Sequence, residues 1–390
     1  MSKKIIKLII MLSLILQVVL FVSYKNEKEK KVVLKIDEKE KITTMQDERI
    51  SENLMFNDDK KLYDKDEYKF EDIRTINEEK KESKDDNIMN NENVTESLNL
   101  DKGKQSESKE ISYKNVEFEG KTYYYNDITI RNSSYKVESE ELSRIKSLID
   151  NYSKKSTFFV FNIKDNMLLT RNATEYMFAA STIKLPYTYY CMTKIDDGTY
   201  SLDKKIKYES YHKLAGSGVL QHRTPGKEYT IRELLHYIIH YSDNTAYYML
   251  FSNLNLEGYK NFMKERGFYT GVYRGMPWDN TSAYVLGKTL QDVYYKYIND
   301  EKGNWKLYVD ELKNSLDSPL KNNLGKKYQI ASKSGWARYS YHESGIVFAE
   351  NPYIVVIMTK SDGEWIDQNY MSNLILAIDD FIVQYNQKIQ

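Results

Sequence analysis

Hydrophobic and polar residues fall into four regimes along the chain. The first is a predominantly apolar run from Ile5 or Leu8 to Val22, preceded by Lys3, Lys4 and Lys7. It is just long enough to cross a thin bilayer. Residues 1–23 therefore read as an uncleaved membrane anchor. A secretory signal peptide is the competing reading, but no small-x-small cleavage pattern closes the run and no cysteine there could take a lipid. Either way the rest of the chain is expected outside the cell, single-pass if the anchor stays and secreted if it is cleaved.

From residue 24 to about 110 the pattern disappears. Lys, Glu, Asp, Asn and Ser dominate, and no apolar heptad is sustained. Such a segment cannot bury enough apolar surface to offset its ordering entropy, so it is expected to be a disordered tether with a reach of about 50 Å. Residues 111–136 regain alternation. Val116 and Phe118, then Tyr123 and Tyr125, flank Glu119-Gly120, which predicts a small β-hairpin.

Residues 137–390 carry the periodicities of a full globular domain. Leu142, Ile145, Leu148 and Ile149 have helical spacing. "STFFVFNI" and "MLLTRN", separated by the turn "KDN", predict paired strands. Helical spacing dominates from Ser181 to about Asn299. Near the C-terminus "ESGIVFAE" and "PYIVVIMTK" predict two more strands, and "YMSNLILAIDDFIVQYNQ" predicts a closing amphipathic helix. Strands at both ends with helices between predict an α+β fold: one antiparallel β-sheet flanked by helices, with an all-helical subdomain inserted.

Charge narrows the function classes. Lys+Arg and Asp+Glu both number 57, interspersed along the chain, which argues against a nucleic-acid partner. The lone cysteine, Cys191, lies in a predicted apolar helix and reads as a small buried hydrophobe. His236 and His240 have helical spacing, but no Glu follows His236 as a zinc-peptidase motif requires, so the pair reads as structural. No metal or cofactor is expected.

Candidate chemistry centres on "YMFAASTIKLPYTYYCMTK". Ser181 precedes helix-compatible residues and could simply cap a helix. Ser-x-x-Lys is cheap, and also starts here at Ser106, Ser133, Ser143, Ser201, Ser210 and Ser318. Ser181 and Lys184 nevertheless share a helical face, where an amine can activate a hydroxyl and the helix start can stabilise an oxyanion. Pro186 suits the first helical turn, whose amides lack intrahelical partners. Two triplets follow in order, Ser242-Asp243-Asn244 and Lys333-Ser334-Gly335, the second opening a predicted edge strand.

The order Ser-x-x-Lys, Ser-Asp-Asn, Lys-Ser/Thr-Gly resembles the penicillin-recognising serine hydrolases, most closely their class A β-lactamase-like branch. The resemblance runs from about Val137 to Gln390 and includes "FAASTIKLP", "GSGVLQ", "YTIRELLHYIIHYSDNTA", "NTSA" and "HESGIV". It implies a β-lactamase/transpeptidase-like fold and a monomer, with a β-lactam or a peptidoglycan peptide as substrate. Ser181 would form an acyl-enzyme, with Lys184 as its base, kept neutral by burial and a nearby Lys333. Ser242 would relay a proton to the leaving nitrogen, and Asn244 would hold the substrate's side-chain amide. Lys333 and Ser334 would bind its carboxylate. Gly335 would let the strand backbone approach the ligand, and the amides of Ser181 and Trp336 would form the oxyanion hole.

The chain departs from the family at two points. The Glu-x-x-Leu-Asn setting of the deacylating Glu is missing, and "GFYTGVYRGMPWDNTSA" holds a single carboxylate, Asp279. Asp279 reads as a salt-bridge residue at the loop base, with Arg274 as its expected partner, rather than as a base for water. Trp336 stands where small residues are usual. Slow deacylation and an extracellular tether favour a D,D-peptidase or penicillin-binding protein. The alternatives are a β-lactamase with a non-standard deacylation base and a non-catalytic wall-binding or β-lactam-binding module.

Overall fold

The computed structural model describes residues 122–270, 277–360 and 367–390. The expected anchor and tether, and the first arm of the expected hairpin at Val116 and Phe118, lie outside these residues. Among the described residues no helix is long and apolar enough to cross a membrane.

The frame is a seven-stranded sheet in which every neighbouring pair is antiparallel. The chain's first strands are β1 (Tyr123–Tyr125), β2 (Ile128–Arg131), β3 (Lys155–Asn162) and β4 (Leu168–Arg171). Its last are β9 (Gln329–Ala337), β10 (Ser340–Phe348) and β11 (Tyr353–Lys360). Their order, β1-β2-β4-β3-β11-β10-β9, places the two chain ends side by side at the β3–β11 seam. The antiparallel sheet and inserted helices match the α+β expectation.

Glu119-Gly120 lies outside the described residues, and the hairpin that the structure describes joins β1 to β2. Tyr125 and Ile128 pair across Asn126-Asp127, and Asn126 takes the left-handed conformation, φ 57°, that such tight turns require. The hairpin is also no separate unit, because β2 pairs with β4 and extends the main sheet.

The central strands are apolar throughout because both sheet faces are covered. On one face Phe159, Phe161, Ile354, Val356 and Met358 pack against the helical subdomain. On the other, Phe158, Val160, Val355 and Ile357 pack against α1 (Ser143–Asp150) and the closing helix α9 (Gln368–Lys388). Period-2 alternation thus serves two cores at once.

Between β4 and β9 lie β5 (Tyr176–Phe178), α2 (Lys184–Asp196), and the ribbon of β6 (Lys205–Lys207) with β7 (Glu228–Thr230). The helices α3 (Ile231–His240), α4 (Asn244–Asn253) and α5 (Leu256–Glu265) follow. β8 (Asn280–Ser282) then pairs back onto β5, and α6 (Ala283–Ile298), α7 (Asn304–Lys313) and α8 (Pro319–Leu324) complete the insertion. Local sequence sets α3 clearly. Thr230 and Glu233 form a reciprocal capping box, and Ile231, Leu234, Leu235, Ile238 and Ile239 form its buried face. Cys191 is buried in α2, and burial pushes its thiol up to about 12, so it is inert at physiological pH. His236 stacks on His240 and meets Glu311 at 2.9 Å, a contact within the helical subdomain.

Candidate active site

Ser181 does not cap a helix. The chain leaves β5, turns at Ala180 with φ 46°, and runs through a 3-10 turn, Ala180–Ile183, into α2. Ala179 precedes that turn without a side-chain cap. A left-handed alanine costs roughly 1–3 kcal/mol and needs a framework to hold it. Buried His342 of β10 is part of that framework. Its Nδ1 accepts from the Thr359 amide at 3.2 Å, so Nε2 carries the proton and donates to the Phe178 carbonyl at 2.8 Å. Burial depresses this imidazole to about 4, which keeps it neutral and fixes that tautomer.

Lys184 opens α2 one turn after Ser181 and is fully buried. Its Nζ donates to Ser181 Oγ at 3.0 Å and to Asn244 Oδ1 at 2.6 Å. The Ser242 carbonyl at 2.6 Å and Ser242 Oγ at 3.2 Å complete the set of oxygens. Aromatic faces close the remaining side, with Trp278 5.3 Å and Tyr247 5.9 Å from the amine. The amine thus lies between the nucleophile and the second motif, as helical spacing alone could not guarantee.

Ser242 lies in the turn between α3 and α4 with φ 53°. Asp243 caps α4, accepting from the Ala246 amide at 2.8 Å, and reaches the adjacent loop through the amides of Val219 at 2.6 Å and Leu220 at 2.7 Å. Its role is to brace that loop. Burial raises its pKa, while the three amides and Lys184 oppose the rise. Gly218 is needed here, since it has φ 104° and a Cβ would run into Asp243. Asn244 is occupied on both ends, by Lys184 at Oδ1 and by the Ala215 carbonyl at 2.9 Å from Nδ2. Its amide therefore orients Lys184.

β9 supplies the third wall as the free edge of the sheet. Lys333 Nζ donates to Ser242 Oγ at 3.0 Å, which joins the second and third motifs, and to the Ser334 carbonyl at 2.7 Å. Ser334 Oγ donates to the Asp317 carbonyl at 2.6 Å. Gly335 is also required by the packing of the protein itself. A Cβ there would fall 2.5 Å from the Thr182 nitrogen and 2.8 Å from the Ser181 nitrogen, so the glycine admits the nucleophile's own turn. Neither backbone atom can yield cheaply. Gly335→Ala is expected to lose about 1–3 kcal/mol of stability in a urea titration, and an unchanged midpoint would show that β9 is not held against this turn. Trp336, partly exposed, follows on the same strand.

Asp279 serves the loop base through its hydrogen bonds. Oδ2 accepts from Thr270 Oγ1 at 2.8 Å and Oδ1 from the Asn280 amide at 2.7 Å, while its carbonyl accepts from Ala179. Arg274 lies outside the described residues. Among the described residues of this loop, the neighbouring Trp278 reaches Lys184. Pro277 beside it accepts from the Tyr247 hydroxyl at 2.9 Å. Trp278 and His342 were not singled out from sequence. The only signal for Trp278 was a large aromatic inside the loop that departs from the family pattern.

The geometry can be set beside known proteins. The chain matches the beta-lactamase enzyme family over residues 142–385, well over half its length. It belongs to that family. Similar solved structures include PBP-A, with a TM-score of 0.57 at 22% identity, covering 64% of this chain and 97% of that one. A PBP-A mutant solved as an acyl-enzyme complex with penicillin G gives 0.56 at 20%, covering 63% and 98%. A beta-lactamase from Sphaerobacter thermophilus gives 0.54 at 17%, covering 62% and 97%. These likenesses establish the fold. No curated protein sequence matches the chain. Membership of the beta-lactamase enzyme family makes this a serine hydrolase-like chain, and Ser181, Lys184, Ser242 and Lys333 are the residues its fold gathers.

Proposed function

We propose that this protein is an acyl-transfer enzyme that forms a long-lived acyl-enzyme with β-lactams and acts on D-Ala-D-Ala-type peptidoglycan peptides. One observation carries the reading: a buried amine 3.0 Å from Ser181 Oγ that also reaches Ser242 Oγ, a hydroxyl shared with Lys333. In the neutral form Lys184 takes the Ser181 proton as Oγ attacks the carbonyl carbon. The scissile C–N bond then breaks, and the proton passes through Ser242 Oγ to the leaving nitrogen. Lys333 supplies the positive charge for a substrate carboxylate, and the amides of Ser181 and Trp336 are the proposed oxyanion donors.

Slow deacylation is supported by the loop chemistry. Residues 267–278 contain no carboxylate, and both Asp279 oxygens already accept hydrogen bonds. The face of Lys184 turned toward this loop meets an indole, which is poor at holding a nucleophilic water. The PBP-A relative trapped with penicillin G supports the same chemistry by analogy. The apolar N-terminal run and charged segment fit the proposal as an anchor and tether presenting the domain outside the cell.

Intact-mass spectrometry of the full-length, detergent-solubilised protein with benzylpenicillin, followed over time, tests the reading. A persistent one-penicillin adduct, absent in Ser181→Ala, is expected. Rapid return to free enzyme with penicilloate accumulating would instead identify a β-lactamase. Absence of both adduct and turnover would overturn the acylation of Ser181 by β-lactams.

A further inference from the structure

Glu343 is a buried carboxyl that the proposed reaction does not use. It lies on β10 directly opposite Ser334 of the third motif, and is 1% exposed. Oε2 accepts from Ser318 Oγ at 2.9 Å and the Leu320 amide at 3.3 Å, and Oε1 from the Ser344 amide at 3.0 Å. Ser318 Oγ in turn accepts from Ser332 Oγ at 2.8 Å, and Ser315 Oγ donates to the Ser332 carbonyl at 2.8 Å. Lys321 closes the chain, donating to Ser315 Oγ at 2.7 Å. A continuous polar network therefore ties the 315–318 loop beneath β9, and that loop supplies the Asp317 carbonyl held by Ser334. Ser344 adds a second tie, from its hydroxyl to the Lys333 carbonyl at 2.7 Å.

We propose that Glu343 is a positioning residue for anionic substrates: it fixes β9 from below, and its negative charge tempers the pull of Lys333 on a substrate carboxylate. The inference rests on the proposed role of Lys333 in carboxylate binding. An apolar residue would pack under a buried strand at lower cost, so a carboxyl with three donors calls for a reason beyond packing.

Burial pushes the Glu343 carboxyl up to about 7, against its three hydrogen bonds and the attraction of Lys333, so it changes charge near neutrality. The charged or titratable groups around it are Lys333 on β9, Lys321 on α8, Asp317 in the loop and Tyr341 on its own strand. Burial lowers Lys321 to about 8 and raises Tyr341 to about 12. Glu343 thus gains its negative charge as pH rises through neutrality. An anion one strand from the bound carboxylate weakens binding by about tenfold at an effective dielectric near 20.

Equilibrium binding of benzylpenicillin to Ser181→Ala, with and without Glu343→Gln, is the test, measured by calorimetry from pH 5.5 to 8.5. With Glu343 present, Kd is expected to rise about tenfold with a midpoint near pH 7, whereas Glu343→Gln stays at the tight value throughout. A purely structural role would shift Kd by the same factor at every pH, and parallel profiles would overturn the proposal. Binding too weak to measure in both proteins would overturn the carboxylate role of Lys333 and this inference with it. The expected profiles alongside a wild type that never forms an adduct would leave the inference standing and remove only the acyl-enzyme.

Discussion

A Lys184→Ala variant is expected to acylate with benzylpenicillin about 10³–10⁴-fold more slowly than the wild type, while unfolding within a few degrees of it. The rate loss follows from removing the group 3.0 Å from Ser181 Oγ that takes its proton. General-base catalysis contributes roughly 10²–10⁴, and Ser242 also loses the partner that aims its hydroxyl. Stability is decided by two opposing effects. Truncation leaves the Ser242 carbonyl and Asn244 Oδ1 without the amine, at roughly 1–3 kcal/mol each. It also releases a buried polar amine whose own desolvation opposes folding. These nearly cancel, so the defect is chemical. Adduct time courses and thermal melts on the same samples separate the two, and a wild-type acylation rate would exclude Lys184 as the base.

Asp243→Ala is expected to do the reverse and act mainly through the fold. Its carboxylate accepts from three amides at 2.6–2.8 Å, two on the 216–221 loop and one inside α4. Removing it leaves three donors with little water to replace it, each costing about 1–3 kcal/mol, and strips a helix cap. Burial already penalises the charged form, as its raised pKa records, so the net falls below the full sum. A loss of about 3–5 kcal/mol is expected in a urea titration. A loss under about 1 kcal/mol would mean that the loop is held by other contacts. Asp243→Asn keeps the volume and part of the acceptor capacity, and is expected to recover only part of the loss, because its amide hydrogens face donors.

The pairing of Ser181 with Lys184 was legible because it is local: residues three apart on a helical turn are neighbours whatever the rest of the chain does. The strands β3, β10 and β11 were legible for a related reason, since both faces are buried and their apolar runs are unbroken. The turn at Asn126-Asp127 was not picked out, because its flanking tyrosines and isoleucines alternate too briefly to signal a strand pair, and pairing of β2 with β4 fixes the register.

The motif order announced a family, but it could not say what each residue touches. Ser242 and Lys333 meet across 91 positions, Asn244 turns to Lys184, and Gly335 makes room for the nucleophile's own backbone. Trp278, His342 and Glu343 belong to the same group. Their types are ordinary in isolation and acquire roles only from the strand or helix packed against them. By itself, the sequence determined the composition shifts, the periodic elements and the catalytic alphabet, because these depend on neighbours in the chain. The tertiary structure alone decided the partners, burial and charge state of the site, because these depend on which distant segments share one desolvated volume.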